Sequence, residues 1–280
     1  MIVYRTKEEL IRHLDDLRQK QKSIGFVPTM GALHDGHISL VSRSIEDNDS
    51  SVVSIFVNPS QFNDPSDLEK YPRTPEEDLI LLREKGVDMV FMPPVNEMYP
   101  ETDGRQFNLE GLDQGMEGAS REGHFNGVAQ IVSKLFQLVN PHRAYFGQKD
   151  FQQMVIIRHL VKQMAMDIDI VACPIIREKD GLAMSSRNTR LGRKERKAAP
   201  FIYQTLVEAV KKRAELSPPE LKLWVSKRFE QQNLMELVYF EIVDDKTLKS
   251  IESWETAMNK VGCIAVILGG VRLIDNMIFD

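Results

Sequence analysis

The hydrophobic pattern alternates between two periods along the first 174 residues. KSIGFVPT (22–29) and SVVSIFVNP (51–59) are short, nearly continuous apolar runs rich in β-branched side chains, the pattern of strands covered on both faces. Between them, GHISLVSRSIEDN repeats apolar positions at Ile38, Val41 and Ile45, which predicts a helix with one buried face. TPEEDLILLREKG (74–86) opens with a Thr cap, Pro and acids and closes on Lys-Gly, the signals of a helix start and stop. VDMVFMP (87–93) predicts a strand. GHFNGVAQIVSKLFQLVN (123–140) predicts an amphipathic helix stopped by Pro141, RAYFGQKD (143–150) a strand and turn, FQQMVIIRHLVKQM (151–164) a helix, and DIDIVACP (167–174) a strand. Within the irregular stretch 94–121, QFNLEG (106–111) predicts one further short strand.

Residues 1–174 therefore read as α/β, a Rossmann-like doubly wound parallel sheet. Such sheets bind ligands beyond the carboxyl ends of their strands. After Pro174 the period changes. A polar, basic stretch (175–192) precedes predicted helices over 193–213 and 218–230, then strands over 236–244, 263–270 and 272–279. This predicts a second, smaller α+β domain over 175–280.

Charge and cysteine content narrow the function classes. The formal net charge of −5 leaves no broad basic face for nucleic acid. Cys173 and Cys263 form no CxxC pair, so they read as buried thiols in a reducing cytoplasm. MIVYRTKEEL is charged from Arg5 onward, unlike a secretory signal, and the apolar run CIAVILGGV (263–271) is too short to cross a bilayer.

Three stretches carry candidate chemistry. In PTMGALHDGHISL (28–40), His34 and His37 stand three apart at a predicted helix entry, where unpaired N–H groups favour anions and Gly36 admits a ligand closely. The stretch reads either as a phosphate cradle or as two polar residues in a surface loop. H-E-x-x-H is absent, which weakens a zinc reading. In GQKD (Gly147, Gln148, Lys149, Asp150), Lys149 can neutralise phosphate and Asp150 can cap the next helix, or the segment is an ordinary capped turn. In GLAMSSRN (181–188), two hydroxyls and an arginine can wrap a polyphosphate, or the segment is a generic loop.

Taken together, the HxGH stretch and the basic serine loop form the pairing used by class I adenylating and nucleotidylyl-transferring enzymes. MSSR stands here in place of KMSKS, so Lys149 and Arg187 would have to supply the cation. PTMGALHDGH, FVNPSQF, YPRTPEEDL, REGHFNGV, YFGQKDFQQ and GLAMSSRN, in this order and spacing, closely resemble the pantoate–β-alanine ligase family.

That resemblance implies an ATP-dependent ligase that condenses pantoate with β-alanine through a pantoyl adenylate, releasing pyrophosphate and AMP. It implies ATP contacts along Met30, Gly31, Ala32, Leu33, His34, Asp35, Gly36 and His37, with His34, His37 and Lys149 catalytic. Gly147 to Asp150 would bind nucleotide, and Ile176, Met184, Ser185, Ser186 and Arg187 would close over it from the second domain. Gln61 and Gln153 would bind pantoate, Gln61 also near β-alanine, with Asn58 shaping the pocket and Arg121 and His124 close by. Mg²⁺ would accompany ATP, with Asp78 or Glu77 either touching it through water or belonging to a solvated helix face. The family also implies a homodimer; the charge balance and the short apolar runs imply no nucleic-acid or membrane partner. A transferase acting on a phosphorylated acceptor would want Arg or Lys where Gln61 and Gln153 stand.

Overall fold

The apolar runs of the first half pair side by side into one sheet. In the computed structural model, which describes residues 1–279, its strands are β1 (Ile2–Tyr4), β2 (Ile24–Thr29), β3 (Ser50–Ile55), β4 (Met89–Phe91), β5 (Arg143–Gly147) and β6 (Asp169–Cys173). Their order is β1-β4-β3-β2-β5-β6, and each neighbouring pair is parallel. The helices along the chain are α1 (Lys7–Gln19), α2 (Asp35–Asp47), α3 (Pro65–Glu69), α4 (Pro75–Glu84), α5 (Val95–Met98), α6 (Met116–Ser120), α7 (His124–Val139), α8 (Phe151–Gln163), α9 (Arg193–Ala198), α10 (Phe201–Lys212) and α11 (Pro218–Glu230). Single 3₁₀ turns occupy Pro59–Gln61, Gln148–Asp150 and Ser186–Arg190.

The chain divides into two units. The first comprises residues 1–110, 121–147 and 156–174 and holds the six-stranded sheet. Every residue of β3 is buried, Ser50, Ser51 and Ser54 along with Val52, Val53 and Ile55, as expected for a strand covered on both faces. Ile38, Leu40 and Val41 of α2 join Val27, Val53 and Tyr145 in the core on that side, each fully buried aliphatic chain contributing about 1.5–3 kcal/mol. The sheet reverses direction of growth at β2, the point where open α/β sheets form crevices. Pairing of β2 with β5 is confined to Gly25 and Phe26 opposite Arg143 and Ala144. Beyond them comes Pro28, which has no N–H to offer a neighbouring strand. The end of β2 is therefore held on the β3 side and open on the β5 side.

The second unit comprises residues 111–120, 148–155 and the chain from Ile175 onward. It thus draws in two segments that the pattern of periods had grouped with the first 174 residues. Strands β7 (Met235–Asp244), β8 (Lys260–Leu268) and β9 (Val271–Ile278) form an antiparallel sheet in that order. Ile202 and Leu206 of α10 and Leu221 and Val225 of α11 share a core with Ile242 and Ile264 of the sheet. Gln152 anchors the 111–120 segment by donating to the carbonyls of Leu112 (2.8 Å) and Gly115 (2.9 Å) and accepting from the N–H of Glu117 (3.0 Å).

Three expectations are corrected here. QFNLEG forms no strand. Its neighbourhood is satisfied by side chains of α7: Asn126 accepts from the N–H of Phe107 (3.0 Å), and Asn126 and Gln130 both donate to the carbonyl of Arg105. The helix expected over 193–213 is broken into α9 and α10 at Ala199–Pro200, because Pro200 cannot continue the hydrogen-bond ladder. Thr74 does not cap α4 with its side chain; its hydroxyl donates instead to Asp78 Oδ1 at 3.1 Å.

Candidate active site

The loop after β2 begins with Thr29, whose hydroxyl donates to the carbonyl of Ser54 (2.7 Å) and accepts from the N–H of Gly31 (3.2 Å). Gly31 (φ 79°) and Ala32 (φ 49°) are both left-handed. Glycine is required at the first: a Cβ there would lie 2.9 Å from Asp78 Oδ2. Ala32 carries a strain of about 1–2 kcal/mol. The loop is held in this shape by Asp78 of α4, whose Oδ2 accepts from the N–H of Ala32 (2.9 Å) and whose Oδ1 accepts from that of Leu33 (2.7 Å). Asp78 is 1% exposed. This corrects the reading of Asp78 as a residue on a solvated helix face: both its oxygens face the loop. Glu77 is exposed.

The loop leads into α2 with His34 as its N-cap. His34 Nδ1 accepts from the N–H of Gly36 (3.2 Å), and His37 Nδ1 accepts from the N–H of His34 (3.3 Å). The two rings lie 4.1 Å apart between centroids. A nitrogen that accepts from a backbone N–H carries no proton, so the geometry assigns the proton of each neutral ring to Nε2. Two Nε2–H donors therefore stand at the start of a 13-residue helix, at the end of the central strand.

A second cluster in the first unit surrounds Gln61. Its Nε2 lies 2.9 Å from the Met30 sulfur, and its Oε1 accepts from Asn58 Nδ2 (3.2 Å). Asn58 is 1% exposed and committed to protein partners. It donates to the carbonyl of Gly127 (3.0 Å) and accepts from Tyr99 (2.8 Å) and Ser60 (3.1 Å). Gly127 permits this approach, since a Cβ there would fall 2.2 Å from the carbonyl oxygen of Ser60. His124 bonds the carbonyl of Gln61 through Nδ1 (2.7 Å) and the Arg121 guanidinium through Nε2 (3.1 Å). Arginine can only donate, so Nε2 accepts and Nδ1–H donates to Gln61. A cavity of about 450 Å³ adjoins the strand ends, with Met30, Gly31, Ile55, Phe56, Arg73 and Asp78 in its wall.

The remaining candidates, apart from Gly147 at the end of β5, belong to the second unit. Gln148, Lys149 and Asp150 form a 3₁₀ turn in which Lys149 Nζ lies 3.9 Å from Asp150 Oδ1. Gln153 is half-buried and its side chain makes no hydrogen bond among the described residues, whereas its neighbour Gln152 is buried and fully used. Ile176 accepts from the N–H of Met184 (3.0 Å). Ser185 caps the 3₁₀ turn Ser186–Arg190 by accepting from the N–H of Arg187 (3.3 Å). Lys149, Ser185 and Asp275 line one small cavity of about 10 Å³.

The other histidines are structural. His13 bonds Tyr4, His142 Nδ1 accepts from the N–H of Ile24 (2.9 Å), and His159 bonds the carbonyl of Asn108 (3.0 Å). Among the described residues, no three His, Cys, Asp or Glu side chains gather as a metal site. No described helix is long and apolar enough to cross a membrane.

Comparison with known proteins shows the family. Residues 2–278 match the family model for pantoate–β-alanine ligase. A pantothenate synthetase from Bacteroides fragilis is 53% identical over 277 residues, covering 99% of this chain and 98% of its own. One from Porphyromonas gingivalis is 50% identical over 280 residues, covering 100% of both. The crystal structure of pantothenate synthetase from Thermus thermophilus matches with a TM-score of 0.92 at 40% identity, covering 99% of each chain. That of the pantoate–β-alanine ligase from Francisella tularensis, complexed with β,γ-ATP and β-alanine, matches with a TM-score of 0.83 at 35% identity, covering 100% of this chain and 98% of its own. With one family spanning nearly the whole sequence and its solved members sharing the fold, this chain belongs to the pantoate–β-alanine ligases.

Proposed function

We propose that this chain condenses pantoate with β-alanine at the expense of ATP. The observation that carries the reading is the paired Nε2–H donors of His34 and His37 at the head of α2, in a chain that matches the ligase family from residue 2 to 278.

A carboxylate is a poor acyl donor, and transfer of AMP to it creates a good leaving group. The pantoate carboxylate attacks the α-phosphorus of ATP and pyrophosphate leaves. The free amine of β-alanine then attacks the acyl carbon, AMP leaves, and the nitrogen gives up a proton as the amide forms. In the first step, negative charge builds on phosphate oxygens. Donors already fixed by their own backbone contacts stabilise that charge without reorganising.

In this reading Met30 to His37 lie along ATP, and His34 and His37 donate to its phosphate oxygens. Lys149 faces the α- and β-phosphates from its turn, with Gly147, Gln148 and Asp150 beside the nucleotide. Ile176 and Met184, Ser185, Ser186 and Arg187 complete the ATP contacts. Gln61 and Gln153 bind the hydroxyls and carboxylate of pantoate, Gln61 also serving β-alanine. Asn58 acts through Gln61, which it orients, and Arg121 acts through His124 in the same way. Mg²⁺ would accompany ATP and would be held mostly by phosphate oxygens, neutralising their charge. Pairing into a homodimer and a cytoplasmic location are part of the proposal, in line with the family.

AMP release measured with both organic substrates, and with each omitted, tests the reaction. AMP should form only when pantoate, β-alanine and ATP are all present. Turnover with another acid at full rate and none with pantoate would contradict the assignment.

A further inference from the structure

The Lys149 turn is set in place by a residue 127 positions away on β9. Asn276 Nδ2 donates to the carbonyl oxygens of both Gln148 (2.8 Å) and Lys149 (3.0 Å). Asn276 is 6% exposed, so the bond is shielded from water. Both carbonyls belong to a 3₁₀ turn rather than a strand, and Asn276 gives them one shared donor.

Its neighbour Asp275 does the matching work on the serine loop. Asp275 receives two hydrogen bonds from the Arg177 guanidinium (2.6 and 2.9 Å) and one from the N–H of Asn276 (2.8 Å). Arg177 donates to the carbonyl of Gly181 (3.1 Å) and lies over the ring of Tyr203 at 4.1 Å. The hairpin that carries Arg177 closes through Glu178 N–H to Leu182 O (2.8 Å) and Met184 N–H to Ile176 O (3.0 Å), one residue before Ser185. Two consecutive residues of a single strand thus fasten two separate basic segments. Burial pushes the Asp275 carboxyl up from its ordinary value, and Arg177 opposes that push.

We propose that Asp275 and Asn276 are positioning residues, which hold the Lys149 turn and the Ser185–Arg187 loop at a set separation so that the lysine ammonium meets a nucleotide phosphate without rearranging. The inference rests on the assignment of Lys149 to the phosphates of ATP. A strand is a rigid support, and positions held by hydrogen bonds to it are kept more closely than positions on a bare turn. Misplacing a reacting group by about 1 Å can cost roughly a hundredfold in rate.

A double-mutant cycle on the full chain tests this, read by pantoate-dependent exchange of pyrophosphate into ATP. Asn276→Ala should lower kcat by roughly 10–100-fold and leave the KM for pantoate within about twofold. In a Lys149→Ala background the same substitution should cost less than about twofold, because the group it positions is gone. Equal losses in the two backgrounds would overturn the positioning role while leaving Lys149 assigned. Normal exchange in Lys149→Ala alone would overturn the ATP assignment itself, and the inference with it. Asn276→Asp keeps the side-chain volume but sets an acceptor against the two carbonyls, and it serves in the same cycle if the alanine variant fails to fold. It should show the same loss of kcat and the same insensitivity without Lys149, and additive losses would again overturn the proposal.

Discussion

Asp78 Oδ2 accepts a 2.9 Å hydrogen bond from the main chain of Ala32, across 46 residues of sequence. Through this bond and its partner to Leu33, the first turn of α4 dictates the shape of the loop that enters α2. The bonds offset the left-handed strain at Ala32, and they fix where His34 begins its cap. Asp78→Asn can satisfy only one of the two N–H groups with its oxygen, and it turns its own NH₂ toward the other. Leaving one buried donor unmet costs about 1–3 kcal/mol. Thermal unfolding should therefore shift down in Asp78→Asn, and the KM for ATP should rise. An unchanged melting temperature with unchanged KM would show that the loop holds its shape without the carboxylate.

The capping geometry sets a spectroscopic expectation for the imidazoles. With Nδ1 of each ring accepting from a backbone N–H, ¹⁵N spectra of the neutral rings of His34 and His37 should show a protonated Nε2 and an unprotonated Nδ1. A ring found with its proton on Nδ1 would be incompatible with the hydrogen bonds to Gly36 or His34.

Gln61 gives a prediction that separates the substrates. Its amide joins the Met30 sulfur and Asn58 in the first unit, and the proposal gives it hydrogen bonds to pantoate. Gln61→Ala should raise the KM for pantoate by roughly 10–100-fold, the loss of one or two hydrogen bonds, and change that for ATP by less than about threefold. Parallel losses for both substrates would contradict the pocket assignment.

The ion pairs around Asp103 predict a pH dependence of stability. Hydrogen bonds from Arg105, aided by Lys134, hold the Asp103 carboxyl well below the usual carboxylate range. The unfolded chain takes up this proton near about pH 4 while the folded chain does not. The stabilisation is therefore complete above the unfolded value, and it is lost as pH falls toward the lower folded one. The gap in melting temperature between the natural chain and Asp103→Asn should narrow between about pH 6 and 3. A gap that stays constant over that range would exclude this carboxylate as a source of acid lability.

The fold was readable where a periodic signal ran long enough. The nearly continuous apolar run at 51–59 and the spacing of Ile38, Val41 and Ile45 pointed to β3 and α2, because burial on two faces or on one leaves different periods. β1 is three residues long, too short for any period. QFNLEG has strand-like composition, yet the carbonyls and N–H groups around it are met by Asn126 and Gln130, partners that no local pattern announces. The charge run 192–197 looks like a solvated helix start, but Arg196 pairs with Glu178 (2.8 Å) and Asp180 (2.6 Å) and so ties α9 to the Arg177 hairpin.

The candidate residues were legible because HxGH, GQKD and MSSR carry unusual chemistry in short windows. Their supports were not. Asp78 sits among acids expected at any helix start, and Asn276 is one polar position in an ordinary strand. Their roles depend on partners 45 or more residues away, and sequence spacing alone does not encode such pairings. His124 and Arg121 were recognisable only as neighbours of the pocket; the tautomer argument that links them to Gln61 needs coordinates.

The central claim is that fixed imidazole donors at the head of α2 stabilise charge developing on ATP as pantoate attacks it. Pantoate-dependent exchange of labelled pyrophosphate into ATP, without β-alanine, measures that step alone. The natural chain should catalyse exchange, and His37→Ala should lower its rate roughly 10²–10³-fold, the scale for removing one preorganised donor, with the protein still folded. Exchange at the natural rate in folded His37→Ala would contradict the account.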